Sequence, residues 1–190
     1  MALYLSAITM NDKKIYKILQ QWFPELDFKK VPKESQRRDF SHFKAWMMTE
    51  KNKDHTRSYL VGLHPEHTLD SQIHQAAVLQ DLAIDLDKAQ FEIMQAVQPT
   101  LYHYDKHKDK IGKNYQVKEQ VIEMILSKIY ERLVAHHYRM LLIYADQYYW
   151  IAVPEHAEKL NKFCKKFEKQ FKEEQLKIEL FSISDCLQST

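Results

Sequence analysis

The tripeptide Pro-Glu-His occurs twice in this chain, at Pro65-Glu66-His67 and Pro154-Glu155-His156, in matching surroundings. Each copy follows an apolar run with strand character, residues 58–63 and 148–153. Each precedes a helical pattern and then a Leu-x-Ile-acid-Leu segment, residues 82–86 and 176–180. A strand–Pro-Glu-His–helix–strand unit met twice reads as two copies of one structural module. Proline and an acid are also both favoured in a first helical turn, where a missing N–H costs nothing and the dipole favours negative charge. Two unrelated helix starts would therefore carry the same tripeptide, and that alternative stays open.

The rest of the chain extends the pattern. Residues 2–8 alternate like a strand, and Thr9 or Asn11 can cap a helix that places Ile15, Ile18, Leu19 and Trp22 on one face before Pro24. Residues 25–38 form a polar, basic connection. Residues 43–50 and 55–63 suggest a hairpin turning at 51–54, with a helix over 42–49 as the rival. A helix follows the first Pro-Glu-His to about Gln80, and 82–86 closes the half as a strand; one continuous helix over 68–98 competes with this. Asp87 and Gln90 resemble a capping box for a short helix ending at Pro99.

The second half has a candidate strand at 100–104 and a charged loop at 105–114. An apolar stripe of Val117, Val121, Met124, Ile125, Ile129 and Leu133 predicts a helix to about His137. A hairpin of 141–145 and 148–153 turns at Asp146-Gln147. Pro154 starts a helix lined by Ala157, Leu160, Cys164, Phe167 and Phe171, and 176–180 finishes as a strand. Both halves then read strand–helix–strand–strand–helix–strand, giving an α+β fold of two tandem ferredoxin-like (βαββαβ) halves. In that plan 1–86 and 99–190 are the halves and 87–98 is a connecting helix. The 190 residues allow this. The order is similar to that of the tandem ferredoxin-like CRISPR RNA endonucleases, whose C-terminal glycine-rich loop this chain lacks.

Chemistry is constrained mainly by what the sequence omits. With only two glycines, Gly62 and Gly112, no backbone loop can approach a phosphate closely in the manner of GxGxxG or Walker A sites, and neither motif is present. Cys164 and Cys186 form no CxxC pair. His64 and His67, or His103 and His107, have ligand-like spacing but no third partner, so the expectation is no metal and no cofactor. Asp85-Leu86-Asp87 reads as a strand exit and helix cap. Arg132 with His136 and His137 resembles, over six residues, the RNase motif of the all-helical HEPN family; these three are the catalytic candidates. Arginine and histidine also suit a helix C-terminus.

The second half offers alternating aromatics. Tyr148 and Trp150 would stand on one sheet face beside Tyr102 and Tyr104, where aromatics of RNA-binding ferredoxin-like folds stack bases. Arg37, Arg38, Lys106, Lys108 and Lys110 would reach phosphates. In a tandem repeat the same rings could instead be buried between halves. The net charge of +2 does not decide, because only clustering would. No apolar stretch is long enough for a membrane span, and no basic start leads an apolar leader region, so a cytoplasmic location is expected. The first expectation is a non-enzymatic protein-interaction module of adaptor or bacterial immunity type. RNA binding or cleavage through the aromatic face and basic loops is the alternative.

Overall fold

The computed structural model describes residues 13–51, 55–64, 71–110 and 117–183. The fold is α+β, with six α-helices and two antiparallel sheets of two and four strands among these residues. Helix α1 (Lys14–Trp22) buries Ile15, Tyr16, Ile18 and Leu19 at helical spacing. Two 3₁₀ turns lead to α2 (Phe40–Met47), capped by the Asp39 carboxylate accepting from the Ser41 N–H at 2.8 Å. The chain then straightens into β1 (Met48–Lys51), which pairs with β2 (Thr56–Ser58). The hairpin expected over 43–63 is thus shorter, and its first segment is the rival helix: Phe40, Phe43 and Met47 are buried on one helical face.

Beyond β2 the chain leaves this small sheet, and strand β3 (Val61–Leu63) joins the large one. After α3 (Ala77–Asp81) come α4 (Leu86–His107) and α5 (Val117–Ala135), then β4 (Tyr138–Tyr144), β5 (Tyr148–Pro154), α6 (Leu160–Gln170) and β6 (Lys177–Leu180). The large sheet runs β3-β5-β4-β6, every pair antiparallel. The β5–α6–β6 connection steps over β4, so β5 and β6 point the same way with β4 between them. Gly62 sits where β3 crosses β5: a Cβ there would lie 2.3 Å from Gln147 Nε2 and 3.2 Å from Tyr149 Cε1.

Both faces of the central strands are covered. Tyr149 faces α2, its ring 5.3 Å from Phe40, which in turn meets Phe167 and Phe171 at 6.1 and 5.6 Å. Lys44 caps this cluster: its Nζ donates to Tyr149 Oη at 2.9 Å, and Tyr149 Oη donates to Asp146 Oδ1 at 3.2 Å. On the opposite face Tyr148 lies near α5, where burial and then Glu119 and Glu123 push its hydroxyl pKa up. With helices on both sides, the middle of β4 and β5 reads as a continuous apolar run rather than an alternating one.

Four sequence expectations differ from this fold. Residues 82–86 are not a strand: Ala83 has φ 51°, a left-handed turn, and Asp85 caps α4 by accepting from the Lys88 N–H at 2.9 Å. The cap is therefore Asp85 and not Asp87. Residues 100–104 lie inside α4, which continues through Pro99 because its Ala89, Ile93 and Val97 stripe is buried. Pro154 ends β5 instead of starting a helix; Ala157 N–H closes a turn on its carbonyl at 2.9 Å, and α6 begins only at Leu160. The strand at 2–8, the helix caps Thr9 and Asn11, and the first Pro-Glu-His lie outside the described residues. Among the described residues no helix is long and apolar enough to cross a membrane.

Candidate functional site

The side chains expected to form a stacking surface do not meet. Trp150 is only 1% exposed, on the sheet face beneath α5, and its indole N–H has no hydrogen-bond partner among the described residues. Tyr148 is half-buried, edge-on to Tyr144 at 5.7 Å. Tyr102 and Tyr104 stand on α4, the first 68% exposed and the second packed against the core. Arg37 is 8% exposed and structural: its Nε donates to the Pro32 carbonyl at 2.9 Å, and its own carbonyl accepts from Gln170 Nε2 at 2.7 Å. Arg38 is exposed, as are Lys106, Lys108 and Lys110 at the end of α4, far along the chain from the sheet aromatics.

The three catalytic candidates each have separate surroundings. Arg132 is engaged by Glu92 and by the Lys128 carbonyl at 2.8 Å. His137 Nδ1 pairs with Glu155 Oε2 at 3.2 Å, and His136 points to solvent. His103 and His107 lie ring to ring at 4.7 Å, but no group of three or more His, Cys, Asp or Glu that could hold a metal exists among the described residues.

A different cluster emerges where α1 packs on α6. The two helices run antiparallel: Trp22 meets Phe163 at 5.0 Å and donates its indole N–H to the Glu158 carbonyl at 3.2 Å, while Lys159 Nζ reaches Gln21 Oε1 at 3.2 Å. Their buried faces are apolar, Ile15, Ile18 and Leu19 on α1 and Phe163 and Phe167 on α6. The spacing that buries those side chains turns Lys14 and Lys17 outward on one helix and Lys162, Lys165, Lys166 and Lys169 outward on the other. None of these six lysines forms an ion pair among the described residues. Glu168, the one acid on the two helices, is turned to β6, where it accepts from the Ile178 N–H at 3.4 Å.

The charges feel one another. Burial, and then the neighbouring Lys14, Lys162 and Lys169, hold the Lys166 ammonium below the usual lysine pKa. Lys14 and Lys162 also fall in the first turns of their helices, where the positive end of the dipole favours acids; such misplacement costs about 0.3–1 kcal/mol each at an exposed site. Beside this surface, between α6 and β4–β6, lies an open groove of about 590 Å³ whose rim adds Arg139 and Lys159. Half-buried Cys164 lines the groove, and burial, with Glu168 nearby, pushes its thiol pKa up to about 11.

Comparison with protein-family models, curated proteins and solved structures finds no match. Function therefore rests on this chain's own geometry. The lysine surface was present in the sequence as Lys14-x-x-Lys17 and Lys162-x-x-Lys165-Lys166-x-x-Lys169. Reading those positions against the apolar stripes would have found each half. That α1 lies on α6 is a tertiary fact, and it is what turns two ordinary solvated faces into one charged surface.

Proposed function

We propose that this protein is a non-enzymatic binding module that holds the phosphate backbone of a nucleic acid across the lysine surface of α1 and α6. The observation that carries this reading is geometric: α1 packs on α6 with Lys14, Lys17, Lys162, Lys165, Lys166 and Lys169 turned outward, and the one acid of the two helices, Glu168, bonded to β6. A folded chain gains nothing from the repulsion among these lysines, whereas a polyanion relieves it and releases counterions. The cations on the two helices are all lysines. Lysine is a compact point charge suited to phosphate; the planar fork of arginine, which reads base edges bidentately, is missing there. Binding is thus backbone-directed and indifferent to sequence. A mobility-shift assay with single-stranded RNA and with duplex DNA tests this, comparing the wild type with K162E/K166E/K169E. Loss of the shift in the variant is expected; an equal shift in both proteins sinks the proposal.

A second reading, a protein-interaction module of adaptor or immunity type, is favoured by one observation. Phe91 and Tyr102, on one face of α4, are 61% and 68% exposed, and aromatics are the residues enriched in partner surfaces.

We also infer an internal duplication of tandem ferredoxin-like type, with halves at 1–86 and 99–190 joined through 87–98. Its support is a register. Aligning the two Pro-Glu-His motifs makes Val61 equivalent to Trp150, and those two residues are direct partners in the β3–β5 ladder. Two equivalent strands thus pair antiparallel about a local two-fold point. The helical course of 100–104 and the turn at 82–86 weigh against extending the equivalence to every element.

A further inference from the structure

Helix α4 carries a solvent-facing stripe that reads as its own mirror image. Lys88, Phe91, Gln95, Gln98, Tyr102 and Asp105 follow spacings of three and four residues alternately, so they form one line along the helix, as a and d positions do in a coiled coil. Each of the six is exposed, while Ala89, Ile93 and Val97 on the other side are buried. The stripe is symmetric about the point between Ala96 and Val97: aromatic opposite aromatic (Phe91, Tyr102), amide opposite amide (Gln95, Gln98), cation opposite anion (Lys88, Asp105). The flanking pair Asp87 and Lys106 is mirrored in the same way, again with opposite signs.

We propose that this face docks onto the same face of a second copy of the chain, antiparallel, about a two-fold axis through the middle of α4. In an isologous contact, if residue i touches residue j, then j touches i. An antiparallel pairing of α4 with itself therefore sets Phe91 on Tyr102 of the second copy twice and Lys88 on Asp105 of the second copy twice. A parallel pairing would set Lys88 on Lys88 and Asp105 on Asp105, and like charges opposed in this way repel. The charge pattern thus selects both the occupant and its direction. Asp105 already has a partner at 3.9 Å in Lys108, but both side chains of that pair are more than half exposed, and such pairs hold their geometry weakly.

The centre of the stripe fits the same arrangement. Pro99 has no N–H to give to the Gln95 carbonyl one turn earlier, so the helix ladder is interrupted at the symmetry point. In the pair, the side-chain amide of Gln98 from the second copy stands across from Gln95 and supplies a donor there. This inference rests on the protein-contact reading of α4 and is independent of the lysine surface.

Sedimentation velocity on the full chain, from low to high micromolar protein, provides the test. The wild type should dimerise, and F91A/Y102A should remain monomeric with an unchanged circular dichroism spectrum. K88D and D105K should each weaken dimerisation about tenfold, since each turns two attractive pairs into two repulsive ones. Mixed together, K88D and D105K should form a one-to-one heterodimer, and K88D/D105K in one chain should recover the wild-type affinity. A wild type that stays monomeric at high micromolar concentration, dimerisation untouched by F91A/Y102A, or no recovery in the mixture would each overturn the proposal.

A photo-crosslinking benzoylphenylalanine at position 95, used in cells, separates the two levels. Adducts of the chain with itself support the second-copy occupant. Adducts only with other proteins overturn that occupant and leave the protein-contact reading standing. With no protein adduct at all, both fall.

Discussion

Lys166 on α6 is held below the ordinary lysine pKa by burial and then by the charge of Lys14 on α1, with Lys162 and Lys169 adding to the effect. The sign of the consequence is fixed. A lysine whose folded pKa is lowered binds its proton less tightly in the folded chain than in the unfolded one, so folding stability rises with pH just below the usual lysine range. In K166Q that rise should shrink, and its melting temperature at neutral pH and low salt should equal or exceed the wild-type value. A clear loss of stability in K166Q would show that the lysine is tied down structurally.

Trp150 fills the space between the sheet and α5, and its buried N–H lacks a partner. W150A should cost about 3–5 kcal/mol in urea unfolding, the usual range for a large aromatic removed from a close-packed core. W150F should cost distinctly less, because phenylalanine keeps much of the volume and removes the unpaired donor. Equal costs would mean that the indole N–H has a compensating partner.

Arg57, in the middle of β2, ties three segments together. It meets Asp81 at 2.6 Å, Glu25 at 3.3 Å and Gln80 at 3.0 Å, and Tyr59 donates its hydroxyl to Glu25 at 3.0 Å. The hydrogen bonds from Tyr59 and Arg57 hold the Glu25 pKa below its ordinary 4.5. A lowered carboxylate contributes stability that is present above 4.5 and is lost as pH falls through the folded value. E25Q should therefore flatten the acid limb of the stability curve below about pH 5, whereas R57A should lower stability at neutral pH as well, by about 1–3 kcal/mol. An E25Q curve parallel to the wild type would contradict this account.

Cys164, with its thiol pKa pushed up to about 11, stays protonated at neutral pH and should react slowly with iodoacetamide. The rate in a Cys186→Ser background should remain low until well above pH 9 and should rise on unfolding. Rapid alkylation at pH 7.5 in the folded protein would show a thiolate stabilised by the lysines around it.

The local pattern made several elements legible. The apolar spacing of α1 and α5, the β4–β5 hairpin at Asp146-Gln147 and the final strand all lie close to where their residues predict them. What failed was local evidence that tertiary contacts outvote. Pro99 reads as a helix stop, yet α4 continues because its buried stripe outweighs one lost hydrogen bond. Leu82, Ile84 and Leu86 alternate like a strand, but the first two pack against the core from a turn with Ala83 left-handed between them, and Leu86 opens α4. Tyr148 and Trp150 alternate as an open-faced strand would, and nothing local reveals that α5 covers them. The lysine surface needed the α1–α6 contact as well as the spacing of its residues.

The lysine surface is put to the test by the salt dependence of nucleic-acid binding, followed by fluorescence anisotropy of a labelled single-stranded RNA. If about four lysines of α1 and α6 neutralise phosphates, log affinity should fall against log salt with a slope of about −3. A fourfold rise in salt would then weaken binding about fiftyfold. K162E/K166E/K169E should bind far more weakly and with a shallower slope, and RNAs of different sequence should bind alike. Absence of binding at low salt, or a variant whose affinity and slope match the wild type, would contradict the assignment of this surface.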